Sequence, residues 1–107
     1  MDFRREGPVC PIEQTLSVIG AKWVILILRE LLQGKKRFSE LESALGASSK
    51  IISQRLKELE RNGIVERHVI PELPPRVEYC LTPKGESLNE ILDAMAAWGR
   101  EHEPIHS

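Results

Sequence analysis

The sequence predicts an α+β fold, mostly α: one domain in which two short helices joined by a tight turn precede a β-hairpin, with further helices at both ends. Three observations carry it. Residues 48–63 divide at helical spacing into an apolar stripe and a polar face. A helix-start signal and a glycine stop stand directly before them. Two alternating runs around a proline-rich loop stand directly after.

Taken in order, Pro11 can open a helix whose Ile12, Leu16 and Ile19 form a stripe before Gly20. The nearly all-apolar run from Trp23 to Leu32 belongs in the core. Ser39-Glu-Leu-Glu42 fits a capping box that starts a short helix with Leu41, Ala44 and Leu45 on its buried edge. Gly46 is placed to end that helix in the left-handed conformation, and Ser48 or Ser49 can cap the next after about three residues. In the second helix Ile52, Leu56 and Leu59 must be buried, while Lys50, Ser53, Gln54, Lys57 and Arg61 line another side. The pair, residues 39–62, is a helix-turn-helix. Asn62-Gly63 ends it; residues 64–70 read as a strand, Pro71 to Arg76 as a stiff loop, and residues 77–82 as a second strand with Val77, Tyr79 and Leu81 inward. A hairpin there, over residues 64–82, makes a winged helix. Thr82-Pro83 then caps one long helix over residues 83–102, with Leu88, Ile91, Leu92, Met95, Trp98 and His102 on one stripe.

With 107 residues, 41% hydrophobic and 5% aromatic, the chain is a single soluble domain, residues 1–107, with no repeat. Met1 to Glu6 lacks the apolar run of a signal peptide and Trp23 to Leu28 is too short to span a bilayer, so a cytoplasmic protein without a membrane partner is expected. The net charge of −1 is polarised: residues 35–57 carry six cations against two acids, and residues 86–103 five acids against one arginine. A phosphate or base edge approaching the N-terminal half of the polar helix face meets cations, hydroxyls, an amide and the positive helix end, because Glu58 and Glu60 lie only in its last turns. No nucleophile and base constellation or phosphate-binding glycine loop supports an enzyme, and no cofactor is expected. So small a domain has little room to cover both terminal stripes. Ile12, Leu16, Leu88, Ile91, Leu92, Met95 and Trp98 are therefore expected at a two-fold homodimer interface, setting two recognition helices roughly 34 Å apart.

Cys10-Pro-Ile-Glu-Gln-Thr-Leu-Ser-Val-Ile-Gly-Ala-Lys-Trp23, Arg37-Phe-Ser-Glu-Leu, Ser53-Gln-Arg-Leu-Lys-Glu-Leu-Glu, Gly63-Ile-Val, Pro74-Pro-Arg-Val-Glu-Tyr79, Leu81-Thr-Pro-Lys-Gly85 and Ala97-Trp-Gly99 together resemble the HxlR-type winged-helix transcriptional regulators. The order and spacing of these motifs, from about Cys10 to Gly99, make the resemblance specific. It implies a prokaryotic dimeric repressor or activator on pseudo-palindromic double-stranded DNA, with the first and last helices forming the dimer. The implied contacts are Ser48, Ser49, Lys50, Ser53, Gln54 and Lys57 in the major groove, with Arg76 on the wing. Gln54 can pair with an adenine edge and Lys50 with guanine, whereas Ser48, Ser49, Lys57 and the run Lys35, Lys36 and Arg37 suit phosphates.

Cys10 precedes Pro11 at a helix N-terminus, where the helix dipole, with Arg4, Arg5 or Lys22, would favour thiolate over thiol. It is the candidate sensor of oxidants or electrophiles, as the resemblance implies; the alternative is a buried, inert thiol. Cys80 reads as a quiet strand residue pointing opposite to Tyr79 and Leu81. His102-Glu-Pro-Ile-His106 mimics a zinc-protease motif, but Pro104 should break the helix that the motif needs, so no metal site is expected. Two competing functions are a winged-helix protein-interaction module and a metal- or ligand-responsive regulator without cysteine sensing. The small-molecule inducer, if there is one, is not legible.

Overall fold

A computed structural model of the protein describes residues 10–102. Helices α1 (Pro11–Ile19) and α2 (Lys22–Leu31) lead into a two-residue strand β1 (Lys36–Arg37), then α3 (Phe38–Leu45) and α4 (Ser49–Arg61). Strands β2 (Val65–Ile70) and β3 (Arg76–Leu81) follow, and the chain closes through α5 (Pro83–Glu86) and α6 (Asn89–Glu101). Arg4, Arg5 and His106, weighed above as neighbours of Cys10 or as a metal ligand, lie outside the described residues.

The core gathers one face of each central element. Ile27 and Leu28 of α2, Leu41 of α3, Ile52, Leu56 and Leu59 of α4, Ile64, and Tyr79 of β3 are buried together. Each such aliphatic side chain contributes about 1.5–3 kcal/mol of transfer free energy, and the α4 stripe expected from spacing is the one the core uses. At the turn, Gly46 takes φ 66° and its N–H donates to the Glu42 carbonyl. Ser48 is the N-cap of α4, its hydroxyl accepting from the Ile51 N–H at 3.2 Å. Gly63, at φ 69°, ends α4 and lets the Ile64 N–H return to the Leu59 carbonyl.

Several expectations need correction. The capping box is two residues early: Arg37 is the N-cap of α3, and its own N–H donates to Glu40 Oε1 at 2.8 Å. Pairing of Lys36 with Tyr79 and Arg37 with Glu78 holds those residues extended, so the helix starts at once with half-buried Phe38. This β1 strand was not foreseen; it makes a three-stranded antiparallel sheet in the order β1-β3-β2. Ala44 is exposed, not part of the buried edge. Arg76 begins β3 instead of ending the loop.

The C-terminal helix is also two helices, not one. Thr82 caps α5 as expected, accepting from the Gly85 N–H at 3.1 Å, with Pro83 at the first position. The same hydroxyl donates to the Gly63 carbonyl, and Lys84 Nζ donates to the Asn62 carbonyl at 2.8 Å, so α5 is tied to the α4–β2 turn. Gly85 lies so close to that turn that a Cβ would stand 2.3 Å from the Ile64 carbonyl oxygen. After α5 the chain tightens to an i to i+3 bond from the Leu88 N–H to the Gly85 carbonyl before α6 begins at Asn89.

Candidate nucleic-acid interface

Helix α4 presents Lys50, Ser53, Gln54 and Lys57 along a shallow open groove that Glu58 and Arg61 complete. Lys50, Gln54 and Lys57 are exposed and Ser53 is half-buried, so the expected polar face exists as one continuous surface. Glu58 also reaches this groove, four residues after Gln54 and three before Arg61, so helical spacing itself places a carboxylate at the edge of the face. Its carboxylate is held by Arg55 Nη1 at 3.0 and 3.2 Å, an i, i+3 pair that draws the negative charge toward the flank of the helix.

The serines at the start of α4 are committed differently. Ser48 is occupied as the cap, and the Ser49 hydroxyl donates to Glu42 Oε2 on α3. That bond fixes the first helix of the motif against the second. It also places a carboxylate beside the positive end of α4, where a phosphate would otherwise be most favoured.

On the wing, Arg76 is half-buried and grips two acids: Nη2 lies 3.3 Å from Glu72 and Nε 3.3 Å from Glu78. Glu78 is also 3.6 Å from Lys35 Nζ. Arg76 thus stiffens the base of the loop, and Leu73 stands at its tip 98% exposed. Arg37 and Arg76 line one open cleft of about 420 Å³ between the start of α3 and the loop. Lys36 is half-buried in β1, whereas Arg37 is exposed. Lys36, opposite Tyr79, and Arg37, opposite Glu78, face opposite sides of the sheet; Lys35 shares its charge with an acid that the β1–β3 pairing brings near, whereas Arg76 shares its own with Glu72 and Glu78, its neighbours in sequence.

At the termini the apolar stripes are left uncovered. Ile12 and Leu16 on α1, and Ile91, Met95 and Trp98 on α6, are 40–62% exposed. Leu88 and Leu92 form the inner edge of the α6 stripe and pack on the protomer's own core. Trp98 stacks on His102 with ring centroids 4.7 Å apart. Cys10 is the N-cap of α1 and is buried, its carbonyl accepting from the Gln14 N–H at 2.9 Å. Cys80 is half-buried on the outer face of the hairpin; burial first, then the Glu66 carboxylate, pushes its thiol up, against a smaller opposing pull from Lys35. No single described helix is long and apolar enough to cross a membrane.

The chain is similar to known regulators over most of its length. The HxlR-like helix-turn-helix family matches residues 18–107. The HTH-type transcriptional regulator YvaP of Bacillus subtilis (strain 168) is 46% identical over 98 residues, covering 90% of this chain and 91% of that protein. Among solved structures, the reduced form of the transcriptional regulator YodB from B. subtilis superposes with a TM-score of 0.80 at 42% identity, over 92% of this chain and 99% of that one. The redox regulator HypR in its oxidized form gives 0.82 at 39% identity, over 90% and 100%. The helix-turn-helix with its wing, the matched family and these relatives agree: the chain is a transcriptional regulator, not an enzyme, and belongs to the HxlR-like helix-turn-helix family.

Proposed function

We propose that the protein acts in the cytoplasm as a homodimer that binds a pseudo-palindromic operator, inserting α4 of each protomer into successive major grooves. The observation that supports this most is the α4 face, where Lys50, Gln54 and Lys57 stand exposed in one groove. Gln54 reads an adenine edge through its amide, Lys50 reaches guanine, Ser53 sits between them, and Lys57 holds a phosphate. Ser48 and Ser49 lie at the backbone end, with Lys36, Arg37 and Arg76 flanking the duplex from the wing side. The exposed residues Ile12, Leu16, Ile91, Met95 and Trp98 provide the surface on which two copies meet, with Leu88 and Leu92 beneath it.

Fluorescence anisotropy on operator fragments selected from genomic DNA tests the assignment. Gln54→Ala should lose about 1–3 kcal/mol on the selected site and little on random DNA. Lys57→Ala should weaken both alike and flatten the salt dependence by about one phosphate. Equal loss for Gln54→Ala on both DNAs would overturn the readout role.

We further propose that Cys10 senses oxidants or electrophiles. HypR is a redox regulator solved in oxidized and reduced forms, and YodB has been solved reduced and after diamide treatment. In this chain Cys10 caps α1, the helix that carries Ile12 and Leu16, so modification there would act on the dimer face. Because the thiol is buried, its reaction requires local opening of the helix end and should be slow beside that of a free thiol. Operator affinity unchanged by peroxide or quinone in both wild type and Cys10→Ser would remove the proposal.

A further inference from the structure

The outer face of the hairpin carries a cluster that neither the core nor the DNA-binding surface uses. Strand alternation places Glu66 and His68 on the face of β2 opposite to Val65, and the register pairs Glu66 with Cys80 on β3. A carboxylate oxygen, an imidazole nitrogen and a thiol sulfur thereby come within 4.8 Å of one another. His68 Nε2 already meets Glu66 Oε2 at 3.1 Å.

We propose that Glu66, His68 and Cys80 form a binding site for a thiophilic divalent transition-metal ion of the zinc or cobalt(II) type, held across both strands with its fourth position open to water. The donor set selects the class of ion. One sulfur, one imidazole and one carboxylate suit a tetrahedral ion of this kind, whereas calcium or magnesium would require several more oxygens. Ligand atoms around such an ion stand roughly 3.3–3.8 Å apart, so the present spacing closes by small rotations of exposed Glu66 and His68.

The surrounding charge fits as well. Glu78, the other carboxylate on this face, is taken by Lys35 and Arg76, whereas the partner of Glu66 among the described residues is His68, a metal ligand itself. The Glu66 carboxylate beside Cys80 attracts the cation, and binding replaces the thiol proton, which leaves to solvent as the metal–sulfur bond forms. Because the ligands come from two strands, the ion binds only the paired hairpin and clasps the wing at its middle.

Cobalt(II) titration of the reduced full chain, followed in the near ultraviolet and visible, tests the site. Wild type should bind one ion per chain with a thiolate-to-cobalt charge-transfer band and the d–d absorption of a tetrahedral ion. Cys80→Ser should abolish the charge-transfer band, and Cys10→Ser and His102→Gln should leave it. His68→Gln, at a half-exposed side chain that the fold does not need, should weaken binding roughly tenfold or more, equivalent to about 1.4 kcal/mol. Zinc should raise the melting temperature of wild type and not of His68→Gln. A band retained in Cys80→Ser or lost in Cys10→Ser, or equal titration of His68→Gln and wild type, would overturn the proposal.

Discussion

Trp98→Ala is the sharpest test of the proposed dimer. Trp98 is 62% exposed on α6, so about 150 Å² of its surface is available to a partner, taking a full indole as about 250 Å². At about 25 cal/mol per Å² complete coverage would be worth about 4 kcal/mol per protomer, and a two-fold interface buries the residue twice. Because ordering and imperfect fit consume part of any interface area, half of the resulting 8 kcal/mol is a fair expectation. That corresponds to a loss of about three orders of magnitude in dimer affinity. Sedimentation equilibrium of Trp98→Ala against wild type measures it, with Val69→Ala, 53% exposed on the wing, as a control that should dimerise normally. Far-ultraviolet circular dichroism should be unchanged, since the indole supports little of the protomer. Dimer affinity within threefold of wild type, or a wild type that is monomeric at micromolar concentration, would refute the reasoning.

Two other outcomes follow from the packing. Gly85→Ala places a methyl 2.3 Å from the Ile64 carbonyl oxygen and 3.1 Å from Leu81 Cδ2, so α5 must move off the α4–β2 turn; a loss of about 2–3 kcal/mol, visible as a drop in melting temperature of roughly 10–20 °C, is expected. Alkylation of Cys80 in Cys10→Ser should have its pH midpoint above that of a free thiol, because burial and Glu66 favour the protonated form. The same preference means that any stability Cys80 contributes is present at low pH and is lost as pH rises through its folded-state value.

What the sequence made legible is what local chemistry decides. The Ser48 cap, the left-handed Gly46 and Gly63, and the buried stripe Ile52, Leu56 and Leu59 depend on residues within one or two turns of each other, and spacing reveals them. The start of α3 depends instead on β1 pairing with β3 more than forty residues away, which periodicity does not record, and so Glu40 serves the Arg37 N–H where Ser39 and Glu42 had looked better placed. The break between α5 and α6 is likewise not recorded in the apolar stripe, which runs from Leu88 to Trp98 without a gap. In the candidate site, the identity and exposure of Lys50, Gln54 and Lys57 could be read from a helical wheel. The meeting of Cys80 with Glu66 and His68, and of Lys35 with Glu78, required the strand register, whereas Arg76 finds Glu72 and Glu78 among its own neighbours in sequence. A two-residue strand and a register are products of tertiary pairing, and hydrophobic alternation limits them without choosing between them.

The use of the first turn of α4 bears directly on how the proposed recognition helix would meet DNA. With Ser48 capping Ile51 and Ser49 bonded to Glu42, neither hydroxyl is idle, and the Glu42 carboxylate offsets part of the positive helix end. A phosphate at that end therefore meets both a committed donor and a negative charge. Reading then falls to Lys50, Ser53, Gln54 and Lys57, with Glu58, paired to Arg55, at the edge of the same groove. Glu42→Gln separates the two roles of this contact, since the amide can still accept from Ser49 while the charge is gone. Helix-end charge effects of about 0.3–1 kcal/mol imply a gain of roughly two- to fivefold in affinity for all DNA, with melting temperature little changed. Affinity that instead falls with an unaltered melting temperature would mean that Glu42 aids binding, and that the first turn of α4, not its middle, lies against the duplex.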